Sequence, residues 1–312
     1  MSIETAVSAK QRIGNFDELR NRARELGAKR VAVVAADDEI ALTAADGALR
    51  LEIATPVLIG DERRIRTKAE ALGLGDLIDG GRFADTNDFA FVATQMARRG
   101  EVDLLLKGHL RTDELLRAVL DKQSGLRTGQ LLSDVLLYED TLAGEVRLVG
   151  ITDGGLNVAP DLQQKKQIVQ NAIEAMRCIG LTRPRLALMS ATEAVSESVP
   201  SSVDARKLSE MGAAGEFGDV EIFGPLALDC ALLESAAAAK GIRHPVAGRA
   251  DCMVVPNIES GNLLGKSVKY LGGSQCAHVV VGARVPILIP SRVESVDDKV
   301  NSIALGVIFA AR

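Results

Sequence analysis

Three short stretches of this 312-residue chain carry side chains able to hold an anion and move a proton. In Ser291-Arg292-Val293-Glu294-Ser295-Val296-Asp297-Asp298 a hydroxyl, a guanidinium and several carboxylates follow one another closely. A guanidinium pairs with phosphate in bidentate fashion, a hydroxyl hydrogen-bonds a carbonyl or phosphate oxygen, and a carboxylate can take a proton. Lys107-Gly108-His109-Leu110-Arg111-Thr112 gathers cations at the end of an apolar run; Arg117 follows, and Arg127 stands between Gly125 and Gly129. Several cations on loops at one edge of a sheet suit an anionic ligand better than any single one does. Gly261-Asn262-Leu263-Leu264-Gly265-Lys266-Ser267 has the look of a phosphate loop, but its spacing is one short and the required first glycine falls at Ser260. A Gly-Asn turn that offers helix-terminal amides to a phosphate is the reading left for it. Together the stretches point to a phosphorylated ligand.

Each stretch also has a purely structural reading. Ser295 with Asp298 three residues on has the form of a capping box, and acids in a first helical turn favour the helix dipole. From spacing alone, capping outweighs catalysis for Asp298. Lys107 and Arg117, taken singly, read as solvated surface charges. His109, His244 and His278 are scattered and have no nucleophile and acid beside them, so no triad is indicated and each is read as structural. Cys178, Cys230, Cys252 and Cys276 form no CxxC pair and have no histidine at ligand spacing, so they read as reduced buried thiols and no metal site is expected.

The elements that must position these residues alternate along the chain. Apolar runs at Arg30 to Ala35, Pro56 to Gly60, Val102 to Lys107, Arg185 to Met189, Val220 to Phe223, Cys252 to Pro256, Val279 to Val281 and Val285 to Pro290 read as buried strands. Helical spacing covers Phe16 to Leu26, Glu62 to Leu72, Asp88 to Met96, Asp113 to Leu120, Leu162 to Ile179, Leu226 to Lys240 and Val296 to Ala311. This is a βαβ rhythm and predicts a largely parallel sheet covered by helices, in two such layers. Leu131 to Leu137 and Val146 to Thr152 flank a short polar turn and read as an antiparallel pair at a crossing between lobes.

Composition narrows the function further. A net charge of -5 supplies no basic face for nucleic acid. With 3% aromatics and no Trp, stacking on bases or sugars is poorly served. No GxGxxG follows a strand, which disfavours a dinucleotide enzyme. No apolar run approaches the roughly 18 residues that a bilayer span needs, and no leader is visible at Met1 to Thr5. The expectation is a cytoplasmic protein with no membrane and no nucleic-acid partner.

The ordered blocks resemble the phosphate acyltransferase family that contains phosphate acetyltransferase and phosphate butyryltransferase. They are Lys107-Gly108 with Thr112 to Leu120, Gly125 to Gly129 with Ser133, Asp153-Gly154-Gly155-Leu156-Asn157, Gly224 to Asp229, Pro245 through Pro256 with Gly261-Asn262 and Lys266, and Ser291-Arg292. The resemblance spans nearly the whole chain. It implies an α/β fold of two αβα lobes like that of isocitrate and isopropylmalate dehydrogenases, with the active site in the interlobe cleft. Residues 1–140 and 287–312 would form the first domain, and 141–286 the inserted second one. It implies reversible transfer of a short acyl group between coenzyme A and inorganic phosphate by direct thiol attack in a ternary complex, with coenzyme A as substrate, no bound cofactor, no metal, and a homodimer. The proposed base of the family matches Asp298 in spacing, with Asp297 adjacent, and so reverses the preference for capping. Arg292 would hold the phosphate, Ser291 would hydrogen-bond the reacting group, and Arg117 would add a cation. Lys107, Thr112, Arg127, Ser133, Gly261, Asn262 and Lys266 would contact substrate. The resemblance leaves acetyl against butyryl open, since one methylene changes discrimination by only about 1 to 3 kcal/mol. Other readings of the same pattern are an acyl-carrier-protein-linked phosphate acyltransferase, a metal-dependent decarboxylating dehydrogenase of the same fold, and a non-enzymatic solute binder.

Overall fold

The computed structural model of the protein describes residues 12–142, 144–291 and 293–312. Among the described residues the strands are β1 (Lys29–Val34), β2 (Ala54–Gly60), β3 (Arg82–Asp85), β4 (Leu104–Lys107), β5 (Ser133–Asp140), β6 (Arg147–Thr152), β7 (Arg185–Met189), β8 (Glu221–Leu226), β9 (Cys252–Val254), β10 (Cys276–Val281) and β11 (Ile287–Leu288). They join in one sheet of order β3-β2-β1-β4-β11-β10-β5-β6-β9-β7-β8. The expected α/β architecture is present, but its two parts share a single continuous sheet where two were expected.

The connections explain this order. β1, β2, β3, β4 and β11 pair in parallel on one side, and β6, β9, β7 and β8 do so on the other. Between them β5 pairs antiparallel with both β6 and β10, and β10 pairs antiparallel with β11. Parallel neighbours need long crossovers, whereas the polar turn after Asp140 lets β5 fold straight back onto β6. The expected antiparallel pair therefore stitches the two parallel blocks together. The helix Val296–Ala310 carries the chain back over the first block and packs on the helices Phe16–Glu25 and Glu39–Arg50 and on β10. Gly306 permits its close approach, because a Cβ there would lie 2.7 Å from Leu104 Cδ1.

Two elements depart from the sequence expectations for local reasons. The helix Pro200–Ala213 lies in a stretch to which the sequence reading assigns no element; Pro200 sits in the first turn, where its missing N–H costs nothing. The helix expected from Leu226 to Lys240 is two short ones, Leu228–Leu232 and Glu234–Ala239. The carbonyls of Cys230 and Ala231, which a continuous helix would use internally, instead accept from the N–H groups of Gly248 (2.7 Å) and Ala250 (3.1 Å).

Candidate active site

A cavity of about 200 Å3 opens on the sheet where the two parallel blocks meet. In an antiparallel pair, side chains two apart share a face and directly opposed residues stand side by side. His278 of β10 lies opposite Leu136 of β5, which lies opposite Ile151 of β6, and Asp134 is two residues before Leu136. These four form the floor. Ile289 and Ser291 after β11, Thr112 at the start of the helix Thr112–Val119, and Glu294 close one side. The turn Gly154-Gly155 after β6 and the helix Ile258–Lys266 close the other. Ligands of open α/β sheets bind outside the carboxyl ends of strands at such switches of order.

The glycines of this wall are there for contact between backbones. A Cβ on Gly154 would lie 2.7 Å from the carbonyl carbon of Gly261, and one on Gly261 would lie 2.6 Å from Gly154 Cα. The expected turn at Gly261-Asn262 is not a helix terminus: Asn257 caps the helix, and the Gly261 N–H already donates to the Asn257 carbonyl at 3.2 Å. Gly261, Gly265, Asn262 and Lys266 reach the cavity as one face of a helix, with spacings of one, three and four residues.

The charge at the site is organised around His278. Its Nδ1 lies 3.4 Å from Asp134 Oδ1 and its Nε2 lies 3.3 Å from Glu294 Oε1. Burial works against the imidazolium, but the two carboxylates outweigh it and hold His278 well above its usual range. Burial likewise works against an ionised Glu294, and the same imidazolium keeps this carboxyl below its usual value. Glu294 Oε1 also accepts from the Ser291 N–H at 2.9 Å, which folds the loop after β11 over the cavity. Asp153, buried just before the glycine turn, is pushed up to about 6 by burial and by the Asp134 charge. It accepts from the N–H groups of Gly155 and Leu156, both at 2.9 Å, and so shapes the glycine turn.

The structure separates the residues singled out in the sequence. Ser291, Thr112, Gly261, Asn262 and Lys266 line the cavity. Asp298 does not: it is fully buried behind Cys276 and Lys269. Its Oδ1 accepts from the Cys276 N–H at 2.9 Å, and its Oδ2 accepts from the Ser295 hydroxyl at 2.6 Å, from the Ser295 N–H and from Lys269. Burial disfavours its charge, yet Lys269 and the capping bonds leave its carboxyl below the usual value. The capping box read from the spacing is thus present. Lys107 is buried and donates to the carbonyls of Gly108 (3.3 Å) and Leu110 (3.2 Å), the latter at the head of the next helix. Arg117 is exposed and paired with Asp113 at 3.2 Å, Arg127 is exposed, and Ser133 is buried and accepts from Asn171 at 2.8 Å. None of these four lines the cavity. Arg292 lies outside the described residues.

Asp134, His278, Glu294, Lys269 and Tyr270 were not picked out as site residues. His278 interrupts the apolar run of β10, and Asp134 stands directly before the apolar run Val135 to Tyr138 of β5; those were their available signals. All four cysteines are buried thiols, as expected. Among the described residues, Glu193, Asp229 and Cys230 stand close enough to share a metal, but both carboxylates already pair with Lys240, and none of the three lines the cavity.

The model of the phosphate acetyl/butaryl transferase family matches residues 82–307, which include every strand and loop of the cavity. The chain belongs to this family. A phosphate butyryltransferase of Clostridium beijerinckii is 38% identical over 302 residues, 96% of this chain and 98% of that protein. A phosphate acetyltransferase of Rhizobium meliloti is 39% identical over 279 residues, 88% of this chain and 87% of its own length. The crystal structure of a branched-chain phosphotransacylase from Enterococcus faecalis superposes with a TM-score of 0.79 at 28% identity, covering 90% of this chain and 99% of that one. Transferases named for acetyl and for butyryl groups thus stand equally near this member of the phosphate acetyl/butaryl transferases. Among the described residues, no helix is long and apolar enough to cross a membrane.

Proposed function

We propose that the protein transfers a short acyl group reversibly between coenzyme A and inorganic phosphate, in the cavity between the two blocks of the sheet. The observation that carries this reading is the combination in one cavity of Ser291, Lys266 and Asn262 beside an apolar floor of Leu136 and Ile151, on a chain of this family. The polar rim suits the phosphate and the pantetheine arm; the apolar floor suits a short alkyl chain. Ser291 hydrogen-bonds the reacting group, and Arg292, from its place next in sequence, pairs with the phosphate and steadies the charge that develops on it. Thr112, Asn262 and Lys266 hold the phosphate and the thiol-bearing arm.

The thiol attacks the acyl carbonyl directly while both substrates are bound, and no acyl-enzyme is formed. A thiol of ordinary pKa near 8.5 is only a few per cent ionised at neutral pH, so the loop from Ser291 to Asp298 supplies a carboxylate to take its proton. Asp298, with Asp297 adjacent, was the expected acceptor; of the three carboxylates in that stretch, Glu294 is the one that lines the cavity. The chain works without a bound cofactor or metal, as a cytoplasmic homodimer, with residues 1–140 and 287–312 as one lobe and 141–286 as the other. Within that division the terminal helix packs on the helices Phe16–Glu25 and Glu39–Arg50 of the first lobe and also on β10 of the second.

The test is phosphate-dependent release of free thiol from acetyl-, propionyl-, butyryl- and longer acyl-coenzyme A. Release that requires phosphate is expected, and the donor preference names the chain length. No release from any donor would sink the proposal, and preference for a long chain on a carrier protein would move the assignment to lipid synthesis.

A further inference from the structure

Gly154 and Gly261 are held to glycine by the contact between their backbones, but Gly265, one turn further along the same helix, is not. It lies inside the helix Ile258–Lys266 and has no positive φ that would call for glycine. Beyond the helix itself, and among the described residues, a Cβ on Gly265 would meet one atom within 4 Å, Leu136 Cδ1 at 3.1 Å. That atom is the tip of a side chain that can give way, unlike the Gly154 Cα that a Cβ on Gly261 would meet at 2.6 Å. Glycine inside a helix gives up stability that alanine would supply. The packing of the fold does not ask for that loss, so the reason for it is sought in the cavity that Gly265 lines.

The space beside Gly265 is apolar. Leu136 bounds it, Ile151 stands opposite Leu136 on β6, and both belong to one apolar cluster with Val149, Ala187 and Met253. The hydroxyls of Ser291 and Thr112 close the other side of the cavity, where the phosphate and the reacting carbonyl find hydrogen bonds. A donor with its polar end there has its alkyl end directed towards Gly265.

We infer that the space over Leu136, kept open by Gly265, holds the alkyl chain of the acyl group, and that the protein acts on butyryl-sized donors in preference to acetyl. The inference rests on the transferase reading above and names its donor class. Each methylene beyond acetyl that is laid against Leu136 and Ile151 leaves water for apolar surface. A pocket of this kind separates donors that differ by one methylene by about 10- to 200-fold. Gly265 sets the room available and Leu136 its depth.

The test compares kcat/KM for acetyl-, propionyl-, butyryl- and hexanoyl-coenzyme A at saturating phosphate, with Tm measured on each variant. The unaltered protein is expected to prefer butyryl to acetyl. Gly265→Ala puts a methyl into the space, so the butyryl-to-acetyl ratio should fall by about tenfold or more, while Tm holds or rises because alanine favours the helix. Leu136→Ala deepens the space and should move the preference towards hexanoyl. In the double variant the truncated leucine makes room for the added methyl, and the butyryl-to-acetyl ratio should return towards that of the unaltered protein. A glycine kept for packing alone would instead lower Tm when replaced and slow every donor alike. That result overturns the inference, as does an unchanged ratio in Gly265→Ala, or a preference of the unaltered protein for acetyl. Gly265→Ala decides the matter by itself if Leu136→Ala does not fold. If the unaltered protein releases no thiol from any donor in the presence of phosphate, the transferase reading fails instead.

Discussion

Asp298→Asn separates a stability role from a chemical one. The carboxylate is fully buried and accepts from four donors: the Cys276 N–H, the Ser295 N–H, the Ser295 hydroxyl and Lys269. An amide has one acceptor oxygen, so the variant keeps either the strand contact or the cap and turns its NH2 towards donors. Removing one partner of a buried ion pair costs about 3 to 5 kcal/mol. Lys269 retains 20% exposure and can turn partly to water, which lowers that figure. A buried donor left without its acceptor costs about 1 to 3 kcal/mol. These costs overlap because one rotation of the amide decides both, and a total of about 3 kcal/mol is expected. Spread over an unfolding entropy of about 2 cal/mol/K per residue, that lowers Tm by about 5 °C. The folded carboxyl lies below its usual value, so its contribution is present above the unfolded pKa near 4 and is lost as pH falls through the folded one. Urea unfolding at pH 7 should show the full difference between variant and parent, and the gap should narrow below pH 4. A difference under 1 kcal/mol at pH 7, or one that widens in acid, would refute this account of the pair.

Asp134→Asn removes one of the two carboxylates that hold the His278 imidazolium, so the histidine should titrate closer to its ordinary value; an NMR pH titration of its ring protons reads this directly. Gly154→Ala puts a methyl 2.7 Å from the Gly261 backbone, and should cost about 1 to 3 kcal/mol and much of the activity, whereas Gly129→Ala, with open space around its Cβ, should cost mainly its positive φ. Cys276 borders the cavity, but burial and then the Asp298 charge push its thiol up to about 12; iodoacetamide at pH 8 should leave it unmodified in the folded protein and label it in urea. Lys266→Ala should raise KM more than it lowers kcat, because an exposed ammonium at the rim helps bind the substrate alike in ground and transition states.

Much of this protein was legible in one dimension. Buried strands such as Leu104 to Lys107 and Cys252 to Val254 announce themselves as apolar runs, and the cap of the terminal helix is visible as Ser295 and Asp298 at a spacing of three. These are local properties, set by neighbours within one turn or one strand, so the residues themselves carry them. The sequence pattern also singled out Ser291, Thr112 and Lys266, because each stands where a strand or a helix ends or turns.

What faced the cavity was decided elsewhere. Lys107 and Arg117 looked alike as cations after a strand, but one is buried against two carbonyls and the other is paired with Asp113 in solvent. Asp134, His278 and Glu294 lie 144 and 16 residues apart along the chain and meet only because β5 and β10 pair antiparallel while the loop after β11 folds over them. Their charge states have the same origin: an imidazole isolated in sequence becomes an imidazolium only when two carboxylates are brought to its two nitrogens out of water. The residue types and the elements were local and could be read from the sequence, whereas the register that joins distant strands, and with it the identity of the side chains that share one cavity, belonged to the tertiary structure.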